Sequence, residues 1–287
     1  MMKGLREHFK EYRRRYIQLM TAVLYNCNLG GFLSGRIGNW NSKGLCVPGL
    51  NCYSCPGAAF ACPLGSLQNS LQNSAFRFPF YVIGTLLLFG ILLGRLVCGF
   101  LCPFGLIQEL LHKLGRLLHL PDIKKNRLTR GLSYLKYGIL IFFVVAVPVV
   151  RFVPGFCKYI CPAGTLEAGI PLVLADEHLQ AQIGLLFSWK VFVLALCILG
   201  CMFCYRSFCR FICPLGAIYS FFNSTAFFGI KVKNDKCTGC GVCVRTCKMD
   251  IKKAGDRECI HCGECIKTCP VGAIGYPCPG KSSAFKN

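Results

Sequence analysis

Near its carboxyl end the chain reads CTGCGVCVRTC over residues 237–247 and CIHCGECIKTCP over residues 259–270. Both stretches space their cysteines in the same way, with gaps of two, two and three residues. Thiolates at these intervals ligate two 4Fe–4S clusters, and the fourth cysteine of each run reaches across to the other cluster. Zinc ribbons also use CxxC pairs, but eight cysteines at these intervals favour iron. The predicted ligand sets are Cys237, Cys240, Cys243 and Cys269, and Cys259, Cys262, Cys265 and Cys247.

The composition of the whole chain indicates a membrane protein rich in metal ligands. Of 287 residues, 54% are hydrophobic and only 16% are charged, whereas soluble domains carry about 25% charged residues. The 23 cysteines lie at short spacings in apolar sequence, which suits metal ligation better than a secreted disulfide scaffold. The net charge of +21 comes without a stripe of basic and aromatic residues, so we expect no nucleic-acid partner.

Four apolar stretches are near the ~20 residues that cross a bilayer. The alternative is that they form the buried helices of a soluble protein. Of the four, the first is the most polar, because it contains Gln18, Asn26 and Asn28. The predicted spans are Tyr16–Gly35, Phe78–Gly94, Gly131–Val150 and Leu179–Tyr205.

Lysine and arginine residues predict the orientation of these spans. The first twenty residues, the connector with Lys124, Lys125, Arg127 and Arg130, and the stretch after the last span are basic. Basic segments stay in the cytoplasm, so we expect a multi-pass protein of the cell membrane with both termini cytoplasmic. Residues 36–77 and 152–178 then face the opposite side.

The composition becomes polar from about Ile230, which predicts a boundary between two domains. Residues 1–229 would form a predominantly α-helical membrane domain with about four spans, broken or re-entrant at Cys-Pro motifs. Residues 230–287 would form a small α+β domain with the two clusters of a bacterial ferredoxin.

An internal repeat predicts a further cluster. The stretch from Gly94 to Ile107, GRLVCGFLCPFGLI, returns as YRSFCRFICPLGAI from Tyr205 to Ile218, with seven identical positions. A proline after cysteine suits the first turn of a new helix. Both copies follow spans that run inward, so their four sulfurs would gather at the cytoplasmic side; alternatively, CxxxCP is a packing motif with free thiols. The predicted ligands are Cys98, Cys102, Cys209 and Cys213.

A second group of cysteines would share the opposite membrane face. Cys157 and Cys161 repeat the motif, and Cys62 is the cysteine of another Cys-Pro-x-Gly. Six thiols compete for four places in this group, and a disulfide is the alternative to a cluster. The six candidates are Cys157, Cys161, Cys52, Cys55, Cys62 and Cys46. The remaining thiols have no predicted role and are expected to be mostly buried: Cys27, Cys197, Cys201, Cys204 and Cys278.

Three basic residues near these motifs have two interpretations each. Arg95 and Arg206 precede their motifs by three residues and would either stabilise an anionic cluster or extend to the membrane interface. Lys190, inside the last span, is either a functional residue or one that extends to the interface.

With its spans, its CxxxCP motifs and its terminal two-cluster run, the chain resembles the NapH/NosR/CcoG-type membrane polyferredoxins. The resemblance implies electron transfer between quinol or cytoplasmic donors and acceptors beyond the membrane. The cysteines that match the motif positions of this family, and that the resemblance implies as cluster ligands, are Cys98, Cys102, Cys209, Cys213 and the eight terminal cysteines. The group around Cys157 and Cys161 departs from this pattern and suggests a further redox site on the far side.

These observations together predict a membrane-bound electron-transfer protein, more a subunit of an oxidoreductase system than a stand-alone enzyme. The expected cofactors are two 4Fe–4S clusters in the terminal domain and one or two more in the membrane domain. Expected partners are membrane lipid and redox proteins on one or both faces, with quinone as a further candidate. The alternatives are a metal-ion or quinone reductase and a redox-sensing or assembly factor.

Overall fold

The computed structural model describes residues 2–38, 40–72, 78–123 and 126–277, and it is mostly helical. Lys124, Lys125 and Cys278 lie outside the described residues. The α-helices are Met2–Tyr25, Leu29–Ser34, Pro63–Leu71, Phe80–Leu93, Leu96–Phe100, Pro103–Leu117, Arg127–Leu132, Leu135–Ile139, Val147–Arg151, Gly155–Tyr159, Pro162–Gly164, Ile170–Ala175, Glu177–Ala181, Leu185–Phe203, Ser207–Phe211, Pro214–Phe222, Val242–Thr246 and Glu264–Thr268. Wider π-helical turns at Leu140–Ala146 and Thr165–Gly169 join their neighbours into longer helices.

Two helices in the described ranges are long and apolar enough to cross a membrane, Leu128–Arg151 and Leu185–Phe203. They correspond to the third and fourth predicted spans, although the fourth begins six residues later than expected. The second predicted span is the shorter apolar helix Phe80–Leu93. Within the described ranges, two of the four predicted spans are therefore helices long enough to cross a membrane.

The first predicted span, Tyr16–Gly35, is not one continuous helix. The helix Met2–Tyr25 ends before Asn26, and a separate short helix begins at Leu29. The Asn26 side chain donates a hydrogen bond to the Ala22 carbonyl, and the Asn28 side chain donates one to the Pro56 carbonyl. Asparagine side chains compete with the helical hydrogen bonds of the backbone, and this competition explains the break.

Four Cys-Pro pairs begin a new helix, as the sequence predicts, whereas Pro56 and Pro270 lie in turns. Cys62, Cys102, Cys161 and Cys213 each take an extended conformation directly before a proline that occupies the first helical turn. The missing N–H of proline costs nothing at this position. Each motif therefore turns the chain sharply and leaves its last cysteine at the start of a helix.

The carboxyl-terminal region pairs Lys231–Val232 with Ile274–Gly275 as a short antiparallel sheet. The helices Val242–Thr246 and Glu264–Thr268 pack against each other. A small core of Ile230, Ala254, Cys265 and Ile274 holds this region together. Residues Met249, Ile251 and Ile260 instead belong to the main core of the helical part, so the two parts are packed together. The boundary at residues 229 and 230 stays a prediction.

Candidate cluster sites

The structure brings together the four cysteines of the long repeat, Cys98, Cys102, Cys209 and Cys213, which we name the paired-motif site. All four are buried, and each sulfur interacts electrostatically with the other three. Burial raises the pKa of Cys102 to about 12, and the nearby Cys209 and Cys98 add to this shift. A free Cys102 thiol would therefore be protonated at neutral pH, whereas iron supplies the positive charge that stabilises thiolates. The site thus fits a metal cluster held by thiolates.

Arg95 and Arg206 link the two copies of the repeat reciprocally. Arg95 donates to the carbonyl of Cys209 at 3.3 Å, and Arg206 donates to the carbonyl of Cys98. Both side chains are fully buried. The prediction that they extend to the membrane interface is therefore wrong, and each guanidinium adds positive charge beside the paired-motif site.

Each of these arginines is neutralised by a carboxylate from a distant segment. Glu258 lies 2.6 Å from Arg95 and 2.5 Å from Lys136, which is itself fully buried. Glu109 lies 2.7 Å from Arg206 and 2.6 Å from Arg14. Although burial alone would raise the pKa of Glu109, the two arginines lower it to about 2, so this carboxylate is charged at neutral pH.

A second site, which we name the loop site, contains Cys52, Cys62, Cys157 and Cys161. These cysteines line one cavity of about 340 Å³. A Cβ atom added to Gly164 would lie 3.7 Å from the sulfurs of both Cys52 and Cys161, so these two sulfurs approach the same point. The cavity is a suitable enclosure for a cluster between a loop and the motif at Cys157 and Cys161.

The structure separates the six candidate thiols of this group. Cys55 is buried but does not line the loop-site cavity, and the Cys46 sulfur lies 3.6 Å from the Ser66 hydroxyl. The candidate ligands of the loop site are therefore the four cysteines that line this cavity, Cys52, Cys62, Cys157 and Cys161. Lys190 lines the same cavity, which places its charge beside the cysteines.

Two further groups lie in the carboxyl-terminal region, in the same combinations that the spacing predicts. Cys237, Cys240, Cys243 and Cys269 line a cavity of about 280 Å³, the outer terminal site. Cys247, Cys259, Cys262 and Cys265 line a cavity of about 80 Å³, the inner terminal site. Each group contains one cysteine from the other run: Cys269 joins the outer terminal site, and Cys247 joins the inner terminal site. The chain therefore crosses over between the two sites.

Among residues 2–38, 40–72, 78–123 and 126–277, no three His, Cys, Asp or Glu side chains converge closely enough to hold a single metal ion.

Sequence reasoning missed a glutamine that follows two of the Cys-Pro pairs at the same distance. Gln68 lies six residues after Cys62 and donates to the Cys157 sulfur at 3.2 Å. Gln108 lies six residues after Cys102 and donates to the Cys209 sulfur at 3.0 Å. Hydrogen bonds to ligand sulfurs tune the potential of a cluster. The shared register of the two glutamines was the available signal.

Direct backbone contacts connect three of the four sites. A Cβ atom on Gly99, between Cys98 and Cys102, would lie 2.2 Å from the carbonyl oxygen of Ile260 in the inner terminal site. A Cβ atom on Gly49 would lie 3.2 Å from the Cα of Cys102. The backbone of the paired-motif site therefore packs directly on the backbone of the inner terminal site. It also packs on the backbone of the loop that supplies Cys52.

Two consecutive amides connect the paired-motif site to the loop site. The N–H of Leu50 lies near the sulfur of Cys102, and the N–H of Asn51 lies near the sulfur of Cys62, where each lowers the pKa of the thiol. Leu50 and Asn51 are both buried. Two consecutive buried peptide groups thus lie between ligands of the two sites.

Comparison with known families agrees with this geometry. One family described as a 4Fe-4S binding domain matches residues 74–121, 137–170 and 185–234, and a second 4Fe-4S binding domain matches residues 256–275. The first match contains all six cysteines of the CxxxCP motifs at Cys98, Cys157 and Cys209.

The chain is also similar to two archaeal proteins and to no solved structure that meets the same threshold of significance. Uncharacterized proteins MJ0749 and MJ0750 of Methanocaldococcus jannaschii are each 32% identical to it, over 55% and 56% of this chain. The chain spans 53% and 62% of the lengths of these relatives. Together with the domain matches, the four cysteine groups support an iron–sulfur protein.

Proposed function

We propose that the chain is a membrane-bound electron-transfer protein with four 4Fe–4S sites in series. The observation that carries this proposal is the succession of four groups of four cysteines, with direct backbone contacts from the inner terminal site to the loop site. Clusters bound at these sites would supply one-electron redox chemistry. The chain itself holds the ligands, buries them and donates hydrogen bonds to their sulfurs.

The degree of burial differs along this series. Cys237 and Cys240 of the outer terminal site are exposed, whereas all cysteines of the paired-motif site are buried. An exposed site allows a redox protein to approach, and a buried site is protected from water and oxidants. We propose that partner proteins exchange electrons at the outer terminal site and near the loop site, with quinone as a further candidate partner.

Exposed apolar side chains support a membrane location. Large apolar residues point away from the protein on four helices, among them Met20 (74% exposed), Phe80 (76%), Val150 (70%) and Leu185 (92%). Soluble proteins rarely expose apolar surface on this scale, whereas lipid tails would cover it without cost. We propose that these helices face lipid, and that the loop with Gly49 re-enters the membrane domain to reach Cys102.

The proposed topology is tested by reporter fusions at three positions. Fusions after Lys125 and at the carboxyl terminus are expected to report a cytoplasmic location, because basic segments stay inside. A fusion near Lys43 is expected to report the opposite face. A cytoplasmic signal at Lys43 would contradict a crossing by the first apolar stretch.

The ligand set of the loop site is tested by two cysteine variants. Cys161→Ser is expected to remove about four irons per chain, because one four-iron site loses a ligand. Electron flow from the terminal sites to the loop site should stop, while the terminal sites still become reduced. Cys55→Ser is the matched control, because Cys55 lies in the same loop but outside the cavity. Equal iron loss in both variants would contradict the assignment of Cys161, but not Cys55, to the loop site. If reduction of the protein instead exposes new reactive thiols without any loss of iron, the loop cysteines form a disulfide.

A further inference from the structure

A large basic cavity lies beside the inner terminal site. Its volume is about 660 Å³, within the range of ~300–1,000 Å³ typical of small-molecule sites. Among the described residues that line it, Glu264 is the one carboxylate. The cations around it come from three separate segments: Arg13, Arg14, Arg15, Lys248 and Lys267.

We infer that this basic cavity binds a phosphate group carried on an apolar body. Arg14 is already paired with Glu109. Arg13 and Lys267, by contrast, form no ion pair with any described residue. Positive charge is thus in excess, and arginine and lysine are the side chains that recognise phosphate.

The walls of the basic cavity complement the apolar part of such a ligand. Leu96, Phe100 and Ile266 line it together with the ring of Tyr276. Arg13 to Arg15 lie where the helix Met2–Tyr25 changes from basic to apolar, and Leu19 and Met20 farther along that helix are exposed. A basic pocket at such a transition would lie at the membrane interface if the proposed function is correct.

Two sources could supply this chemistry, an anionic lipid and a phosphorylated soluble aromatic compound such as flavin mononucleotide. The basic cavity is also lined by Cys262, a ligand of the inner terminal site. A bound anion beside this ligand would disfavour added negative charge on the site and would lower its reduction potential. Binding would thus influence the step between the two terminal sites and the membrane domain, an effect that rests on the proposed function.

The test uses the full chain in nanodiscs of neutral phosphatidylcholine. In one arm flavin mononucleotide is titrated, with riboflavin as the control that lacks phosphate. In the other arm phosphatidylglycerol is mixed into the nanodiscs, and its enrichment around the protein is measured by native mass spectrometry. Binding in either arm supports the inference and identifies the source, provided that Arg13→Gln and Lys267→Gln each weaken it about tenfold or more.

The matched control is Lys236→Gln, which removes a cation of the terminal region that does not line the basic cavity. It is expected to leave binding unchanged. Absence of binding in both arms, or binding that Arg13→Gln and Lys267→Gln do not weaken, would overturn the inference. Iron content and the cluster spectra are measured on the same samples. A failure of the proposed function would appear as missing iron, whereas a failure of this inference would leave the iron content intact.

Discussion

Replacing Glu258 by alanine is expected to destabilise the protein by about 3–5 kcal/mol, the cost of breaking a buried ion pair from one side. Glu258 is the shared partner of Arg95 and Lys136, and both of these side chains are fully buried. Without the carboxylate, two positive charges would remain in the core without their ion-pair partner. The measurement is the free energy of unfolding in a denaturing detergent, followed by circular dichroism.

The control for this experiment is Glu264→Ala, since Glu264 is exposed and lies in the same region of the chain. It is expected to change stability by less than about 0.5 kcal/mol. A double variant, Glu258→Ala with Lys136→Met, should recover part of the loss because it removes one of the two unpaired charges. Equal stabilities of Glu258→Ala and Glu264→Ala would show that Glu258 does not hold the two parts of the protein together.

Gly99→Ala is expected to separate the inner terminal site from the paired-motif site. The new Cβ atom would lie 2.2 Å from the carbonyl oxygen of Ile260, so one of the two backbone segments must move. Overpacking of this kind costs about 1–3 kcal/mol. We expect normal reduction of the terminal sites but slower reduction of the paired-motif site, measured by rapid mixing with a reductant and freeze-quench spectroscopy.

Gly84→Ala provides the control, because Gly84 lies in the helix Phe80–Leu93 with no atom within 4 Å of an added Cβ. Alanine at this helical position should leave electron transfer unchanged and stabilise the helix by up to about 1 kcal/mol. If Gly99→Ala and Gly84→Ala transfer electrons at the same rate, the contact at Ile260 is not part of the route.

Features determined by neighbouring residues were predictable from the sequence. The start of a helix at Pro63, Pro103, Pro162 and Pro214 follows from the fixed φ of proline and its missing N–H. The grouping of the eight terminal cysteines in two cavities has the same local origin, because short gaps leave the chain few ways to surround a cluster.

Features that depend on distant residues were not predictable in the same way. Nothing near Cys55 in the sequence separates it from Cys52, and only the folded loop places one of them in the cavity. Similarly, Lys136 interrupts an apolar span in the sequence, but its partner Glu258 is 122 residues away. The break at Asn26 does have a local signal in the sequence, because asparagine favours caps and turns over helix interiors.

The proposal of four sites is tested most directly by the iron and acid-labile sulfide bound to each chain after anaerobic purification. Four sites with four irons each predict about sixteen irons and about sixteen sulfides per chain. A value near eight of each would restrict the clusters to the two terminal sites, and it would contradict both the paired-motif site and the loop site.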